Sequence, residues 1–150
     1  MTNIFSQEGA QFMISRIEQL TPESQPHWGK MSVDQMLAHL CVMYETVYTD
    51  KHPKPAGFLK WMMKTFIKKT VVNASPYKRN GRTAPHFRIA GPRDFEKEKQ
   101  RLMGYIRQTR ELGAAHFDGK ESHSFGPLSE TEWNNLFSKH LDHHLKQFGV

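Results

Sequence analysis

The chain of 150 residues has the length of one compact domain, with 37% hydrophobic residues, a formal net charge of +6 and a single cysteine, Cys41. No apolar run is long enough to cross a membrane, the polar N-terminus predicts no signal peptide, and a lone cysteine excludes an internal disulfide framework. We therefore expect a single domain over residues 1–150, cytoplasmic and without a membrane partner.

Two amphipathic helices are predicted in the first third of the chain. Apolar residues at three- and four-residue steps favour a helix over about residues 6–20, which Thr21-Pro22 ends. The second helix begins at a capping box of Ser32 and Gln35 and runs to about residue 50. The two apolar stripes are Phe5, Gly9, Phe12, Met13, Ile17 and Leu20, and Val33, Met36, Leu40, Met43 and Val47.

The middle of the chain is basic. A shorter helix over about residues 57–69 has an apolar side, which we expect to pack over the core and not on a membrane, although an exposed apolar side would also allow a homodimer. Residues 70–93 form the longest irregular stretch and contain no acidic side chain. Two interpretations stay open for this stretch: a positively charged rim for an anionic substrate, or a solvated crossover.

The last two long helices have clear predicted starts. Asp94 is the N-cap of a helix over residues 94–112, and a polar loop over residues 114–127 follows. Ser129 and Glu132 form a second capping box at the start of the final helix. Four long helices, a short extra helix, one long crossover and no alternating strand pattern predict an all-α fold, a four-helix bundle.

The final helix carries a histidine pair. His140 and His144 are one turn apart at the centre of an apolar stripe, so both point inward and are close enough to reach one metal ion. His39 is a third inward histidine, at the edge of the second helix's stripe. Cys41 points about 200° away from His39, which predicts a buried filler and not a co-ligand. The alternative is that histidines near a helix C-terminus serve only the helix dipole.

Two segments resemble a known superfamily. The segment Trp28-Gly-Lys-Met-Ser-Val-Asp-Gln-Met-Leu-Ala-His39-Leu resembles the start of the second helix in the DinB/YfiT-like superfamily of proposed metalloenzymes. The motif His140-x-x-His143-His144-x-x-Gln147 resembles the closing motif of that superfamily. The ending from His123 to Gly149 looks like one bacterial branch of the superfamily whose function is unassigned.

The resemblance implies a four-helix bundle with one site for a divalent cation, Zn²⁺ or Ni²⁺, whose ligands by position are His39, His140 and His144. Related members with an assigned activity transfer low-molecular-weight thiols onto electrophiles or isomerise with such a thiol as cofactor, and others are regarded as hydrolases. Three neutral imidazoles leave the metal an open position, where a water is acidified or a thiol binds as thiolate. We therefore expect a metal-dependent thiol S-transferase or hydrolase acting on a small-molecule electrophile.

Other residues are candidates for the surroundings of the metal. Three polar residues near the ligand faces are candidates to bind the second nitrogen of each imidazole: Gln35, Asp142 and Gln147. His143 is predicted to flank the ligand pair. Trp28 and His123 lie on loops that lead into the ligand helices and are candidates for the mouth of the site; for His123 a solvated position is an equal alternative.

Two other function classes stay open. A non-catalytic helical bundle, small-ligand-binding or stress-associated and with a vestigial metal site, would lack an exchangeable position on the metal. Nucleic-acid binding through the basic region 60–93 would weaken steeply with salt and be indifferent to chelators. We rank it last, because no groove-reading motif or cysteine-rich finger is present.

Overall fold

The computed structural model describes residues 1–81 and 83–150 and is mostly helical. The α-helices are α1 Gln7–Glu18, α2 Val33–Tyr48, α3 Gly57–Met62, α4 Lys68–Val72, α5 Phe95–Leu112, α6 Ala114–Phe117 and α7 Glu130–Gln147. A π-helical segment, Met63–Ile67, joins α3 to α4, and a 3-10 turn covers Pro85–Phe87. The short strands β1 Glu121–Ser122 and β2 Gly126–Pro127 pair antiparallel, with Glu121 opposite Pro127.

The four long helices pack on one another around a hydrophobic core. Both α1 and α2 contact α5 and α7. A column of aromatic rings runs through this core from Tyr105 through Tyr44 and Phe137 to Trp133, with neighbouring ring centroids 5.0–5.6 Å apart. Fully burying one large apolar side chain stabilises a fold by about 1.5–3 kcal/mol, so this column holds α2, α5 and α7 together.

Local capping fixes where three of these helices begin. The Ser129 backbone NH donates to Glu132 Oε2 at 3.0 Å, and Ser129 Oγ accepts the Glu132 backbone NH. The Ser32 backbone NH donates likewise to Gln35 Oε1 at 3.2 Å. Asp94 Oδ1 accepts a backbone NH from the first turn of α5 at 3.0 Å. The three predicted helix starts are confirmed, and the histidine-bearing helices α2 and α7 both begin at a capping box.

The first helix differs from its prediction in one side chain. Phe12 is 52% exposed, with the Arg16 guanidinium 5.4 Å from its ring centroid. The buried face of α1 is centred on Ala10, Met13 and Ile17. Phe12 lies about 100° around the helix from Met13, so it falls outside the buried arc, and its prediction as a core residue is wrong.

The helix in the basic middle of the chain faces the other way from what the sequence predicted. It extends from Gly57 through the π-helical segment to Val72. Met63 is half-buried against the core, but six large apolar side chains are exposed: Phe58, Leu59, Trp61, Met62, Phe66 and Ile67. Lys60 and Lys68 instead face the body of the protein, where they pair with Glu121 and Glu132. The prediction that its apolar side packs over the core is confirmed for Met63 and wrong for the exposed side chains.

One connection between the long helices contains more secondary structure than the sequence predicted. The predicted polar loop over residues 114–127 contains α6 and the β1–β2 hairpin. The basic stretch after Val72 is irregular except for the turn Pro85–Phe87, and Arg82, one of its basic residues, lies outside the described residues. Within residues 1–81 and 83–150, we find no helix that is both long enough and apolar enough to cross a bilayer.

Candidate metal centre

Three histidines from two helices meet in the interior of the protein. His39 lies on α2, while His140 and His144 lie one turn apart on α7, and all three are buried. Each ring offers one nitrogen atom to the group, and these three nitrogen atoms all lie within 4.8 Å of one another. The three histidines singled out in the sequence are therefore brought together, although His39 is about 100 residues before the other two in the chain.

A backbone carbonyl decides the protonation of His39. The Nδ1 atom of His39 lies 2.8 Å from the carbonyl oxygen of Phe87, in the turn Pro85–Phe87. A carbonyl oxygen only accepts, so Nδ1 carries the proton in this hydrogen bond. In the neutral ring, Nε2 then holds a lone pair, and it is Nε2 that faces the other histidines.

Gln147 decides the protonation of His144 in the same way. The amide nitrogen of Gln147 donates to the carbonyl oxygen of Trp28 at 2.6 Å, which fixes the orientation of the amide. Its Oε1 atom therefore accepts the Nδ1 proton of His144 at 2.8 Å. Gly29 makes room for this contact, because its φ is +82° and an added Cβ would lie 2.5 Å from the Gln147 amide nitrogen.

His140 completes the group. Its Nε2 atom lies 2.9 Å from Nε2 of His39, and its ring is 5.0 Å from the ring of His144. With the His39 proton on Nδ1, this contact needs either a proton on Nε2 of His140 or a cation that both lone pairs approach. The second arrangement is the one used when histidines share a metal ion.

The surroundings keep the three imidazoles neutral. Burial, together with the neighbouring histidines, lowers the pKa of His144 to about 3, although the hydrogen bond with Gln147 opposes the shift, and lowers the pKa of His140 well below its ordinary value. Burial also lowers the pKa of His39, while the hydrogen bond to Phe87 opposes the shift. At neutral pH the site is therefore a set of uncharged nitrogen ligands, the form that binds a metal.

The donor set fits a small divalent cation. Nitrogen ligands at about 2.0–2.1 Å from a tetrahedral zinc ion are about 3.3–3.4 Å from each other. The nitrogen atoms here lie between 2.9 Å and at most 4.8 Å apart, so small side-chain movements reach that spacing. Two of the three rings also have their Nδ1 atoms held by acceptors, as is usual for histidine ligands.

Of the polar residues expected near the ligands, Gln147 contacts a histidine directly, whereas Gln35 and Asp142 have other partners. The Gln35 amide donates to the carbonyl oxygen of Gly91 at 3.1 Å and accepts at the start of α2. Asp142 forms ion pairs with Arg16 at 3.0 Å and with Lys146 at 2.8 Å. These two side chains stabilise helix packing and do not hold an imidazole.

His143 and Trp28 lie directly beside the histidine group. The ring of His143 is 5.0 Å from the ring of His144 and 6.0 Å from that of Trp28. Both also line a cleft of about 360 Å³, together with Tyr77, Lys146 and Arg79, whose guanidinium lies 4.4 Å from the Trp28 ring centroid. One basic residue of the 70–93 stretch thus lines a cleft next to the candidate metal centre.

His123 lies in the β1–β2 hairpin. Its Nδ1 atom is 2.8 Å from the Ser124 hydroxyl oxygen, and its Nε2 atom is 3.2 Å from the carbonyl oxygen of His52. It is half-buried, and its place at the mouth of the site stays a prediction. The contact with His52 connects the hairpin to the segment that follows α2.

Sequence reasoning did not identify the Phe87 carbonyl, which holds His39. A backbone carbonyl has no side-chain signature, and residue 87 lies in an irregular stretch. The prediction for Cys41 is confirmed: it is buried, and burial raises the pKa of its thiol to about 12. The Phe87 ring lies 5.4 Å from the ring of His39 and 5.8 Å from that of His140, so this residue also covers the group.

A family model described as "Protein of unknown function (DUF1569)" matches residues 6–149. The chain belongs to the DUF1569 family. No curated protein and no solved structure matches it. Because the DUF1569 match includes both α2 and α7, all three histidines lie within the family region, while the description of the family assigns them no role.

Proposed function

We propose that this DUF1569 chain holds one divalent cation, Zn²⁺ or Ni²⁺, on His39, His140 and His144, and that it is a metal-dependent enzyme. The proposed reaction is that of a thiol S-transferase or a hydrolase acting on a small electrophile. The observation that carries the proposal is the convergence of three buried, neutral imidazoles, two of which have their Nδ1 protons bound by acceptors.

The fold of the chain and its superfamily are also part of the proposal. We propose that α1, α2, α5 and α7 form the four-helix bundle of the DinB/YfiT-like superfamily, in one domain. The pairwise packing of these helices supports this arrangement, as does the position of the histidines on two facing helices. The motifs around His39 and at the end of α7 supply the link to that superfamily.

The chain's own residues would give the site its chemistry. A cation bound by three neutral ligands supplies a Lewis acid with an open position that lowers the pKa of a coordinated water or thiol. The Phe87 carbonyl and Gln147 orient the ligand rings, and the Phe87 ring limits water around them. Arg79 beside Trp28 supports the interpretation of a positively charged rim for an anionic substrate.

The first test is the metal content of untagged protein, measured by elemental mass spectrometry. We expect about one Zn or Ni per chain in the unmodified protein and in His116→Ala, whose histidine is exposed. His140→Ala should have lost the metal, because two ligands bind a cation far more weakly than three. A metal-free protein that takes up none on titration would contradict the proposal.

A second test separates an enzyme from a non-catalytic bundle with a vestigial metal site. Cobalt(II) substituted into the site reports its coordination through visible absorption. Addition of a small thiol should change this spectrum if the cation has an open position, and the same thiols can then be screened against electrophiles. A cobalt-loaded protein whose spectrum is unchanged by any thiol or by small anions would favour the non-catalytic alternative.

A further inference from the structure

The helix formed by α3, the π-helical segment and α4 has lysines on the side that faces the protein body and large apolar side chains on the side that faces solvent. An ordinary surface helix has the reverse arrangement. Lys60 pairs with Glu121 and Lys68 with Glu132, both at 3.0 Å, and the Lys64 side chain lies against Gly126 of the hairpin. These three lysines are one turn apart, so they define the side that faces the protein body. The opposite side, which we call the Phe58–Ile67 face, consists of Phe58, Leu59, Trp61, Met62, Phe66 and Ile67.

The Phe58–Ile67 face is large for a free surface. Phe58 is 74% exposed, Phe66 65% and Trp61 55%, and the Trp61 ring lies within 6.0 Å of both phenylalanine rings. Aromatic side chains have about 150–250 Å² each, so the three rings present roughly 400 Å² to solvent. With the three aliphatic side chains the face reaches roughly 600 Å², at the upper limit for the largest apolar patch of a monomer.

The distribution of charge favours a protein partner over a lipid surface. Helices that lie on membranes keep their lysines where they reach the lipid headgroups, while here Lys60 and Lys68 are paired with carboxylates of the same chain. Of the other two lysines in the helix, Lys64 lies against Gly126 of the hairpin, and Lys69 is exposed. Aromatic residues and methionine with few charges are instead the composition of a protein–protein interface core.

We propose that the Phe58–Ile67 face is the contact surface for a second copy of this chain, related by a two-fold axis. Two such faces together would bury roughly 1,200 Å², the lower end of what stable protein interfaces bury. A two-fold contact uses the same residues from both copies, and a ridge of aromatic and aliphatic side chains can pack against itself. Because Lys60 and Lys68 are already paired with Glu121 and Glu132, the two copies approach without repulsion between these lysines.

The first experiment measures mass in solution by sedimentation equilibrium between micromolar and 100 micromolar protein. We expect a species of twice the chain mass of 17.5 kDa for the unmodified protein and for Phe12→Ser, an exposed ring on α1 that serves as control. The double variant Trp61→Ser/Phe66→Ser should dissociate at least 100-fold more readily. Both positions are exposed in one copy, so circular dichroism should be unchanged.

A second experiment places the contact on this face. Thr65 lies between Trp61 and Phe66 and is exposed. A Thr65→Cys variant should be crosslinked to a covalent dimer by a short bismaleimide, while a control variant, Thr21→Cys, should not. The natural Cys41 does not interfere, since it is buried.

Three results would overturn the proposal. One is a monomer at every concentration that gives no Thr65→Cys crosslink. Another is a dimer that persists unchanged in Trp61→Ser/Phe66→Ser. The third is a monomer that sediments with anionic phosphatidylglycerol vesicles only when Trp61 and Phe66 are present, which would assign the face to lipid. His140→Ala should remain dimeric, so a failed metal proposal and a failed dimer proposal are distinguishable.

Discussion

Two hydrogen bonds to acceptors fix the tautomers of two rings in the histidine group. The Phe87 carbonyl and Gln147 Oε1 each fix the proton of one ring on Nδ1. The Nε2 atom of each of these two rings therefore has a lone pair available on the side where the three rings meet. A ligand that does not have to change tautomer or rotate loses less free energy on binding, so under the proposed metal binding these two acceptors would contribute to metal affinity without touching the metal.

Replacement of Gln147 tests this role at the level of one side chain. Gln147→Ala removes the acceptor from His144 Nδ1 and the donor to Trp28, and we expect metal affinity to fall roughly 10–100-fold. Gln147→Glu keeps an acceptor for His144 and should lose less. Gln35→Ala is the matched control, because Gln35 binds Gly91 and caps α2. Competition with a chromophoric chelator measures the metal affinity of all three variants. An equal loss of affinity in Gln35→Ala would contradict the role of Gln147.

The lowered pKa values of the same rings predict how the metal-free protein responds to acid. Above pH 6.5 the histidines are neutral in both the folded and the unfolded state. Below pH 6.5 they protonate in the unfolded chain, whereas in the folded chain burial keeps the pKa of His144 at about 3 and that of His140 well below its ordinary value. The free energy of unfolding should therefore decrease as the pH decreases below 6.5, by up to about 1.4 kcal/mol per pH unit for each such ring.

Urea denaturation of the metal-free protein at pH 7.5, 6.5 and 5.5 measures this slope. His144→Gln removes one buried titrating ring, so its stability should fall less steeply between pH 6.5 and 5.5. Identical slopes for the two proteins would mean that His144 does not stay neutral in the folded state.

At the scale of elements, α7 contacts α1, α2, α4 and α6. It carries two candidate ligands and, next to them, Lys139, whose Nζ donates to the carbonyl oxygens of Thr70 and Asn73 and to Asn73 Oδ1 at 2.7–2.9 Å. Lys139 thus caps the C-terminal end of α4 from another helix. Burial lowers the pKa of Lys139 to about 8, so the charged form still predominates at pH 7.

Removal of this cap should loosen α4 and not the metal centre. Lys139→Met removes the Lys139 donor from the carbonyl oxygens of Thr70 and Asn73, and we expect a loss of about 1–3 kcal/mol in the free energy of unfolding. Hydrogen exchange should speed up in α4. Lys146→Met is the control on the same helix, since its ion pair with Asp142 is exposed and worth less than about 1 kcal/mol. Unchanged exchange in α4 of Lys139→Met would contradict the capping role.

The starts of two helices could be predicted from the sequence, whereas the orientation of α3 and α4 could not. Capping boxes are local, and the starts of α2 and α7 follow from residues three positions apart, so they were predictable and fix the heights of the histidines along their helices. The orientation of α3 and α4 was not predictable from periodicity, because an amphipathic pattern gives two faces without saying which one the body covers. On the covered side, Lys60 and Lys68 pair with carboxylates more than 60 residues away, and such distant partners leave no pattern in the local sequence.

At the scale of the whole molecule, the histidine group connects the first third of the chain to its end. His39 and His140 are separated by 101 positions, yet their Nε2 atoms are 2.9 Å apart. The sequence predicted the pair on α7 from its spacing and His39 from its inward position, but the spacing alone could not show that α2 and α7 face each other. The Phe87 carbonyl depends on the path of an irregular segment, which follows from tertiary packing and leaves no pattern in the sequence.

A cation that joins α2 to α7 should stabilise the entire fold, because the unfolded chain does not hold the three rings together. At a free metal concentration 100 times the dissociation constant, binding adds about 2.7 kcal/mol to the free energy of unfolding. For a chain of this length, that corresponds to a rise in Tm of roughly 5–10 °C. Calorimetry with zinc and after chelation measures the shift. His140→Ala should show little of it, whereas an equal rise in that variant would mean that the metal binds elsewhere.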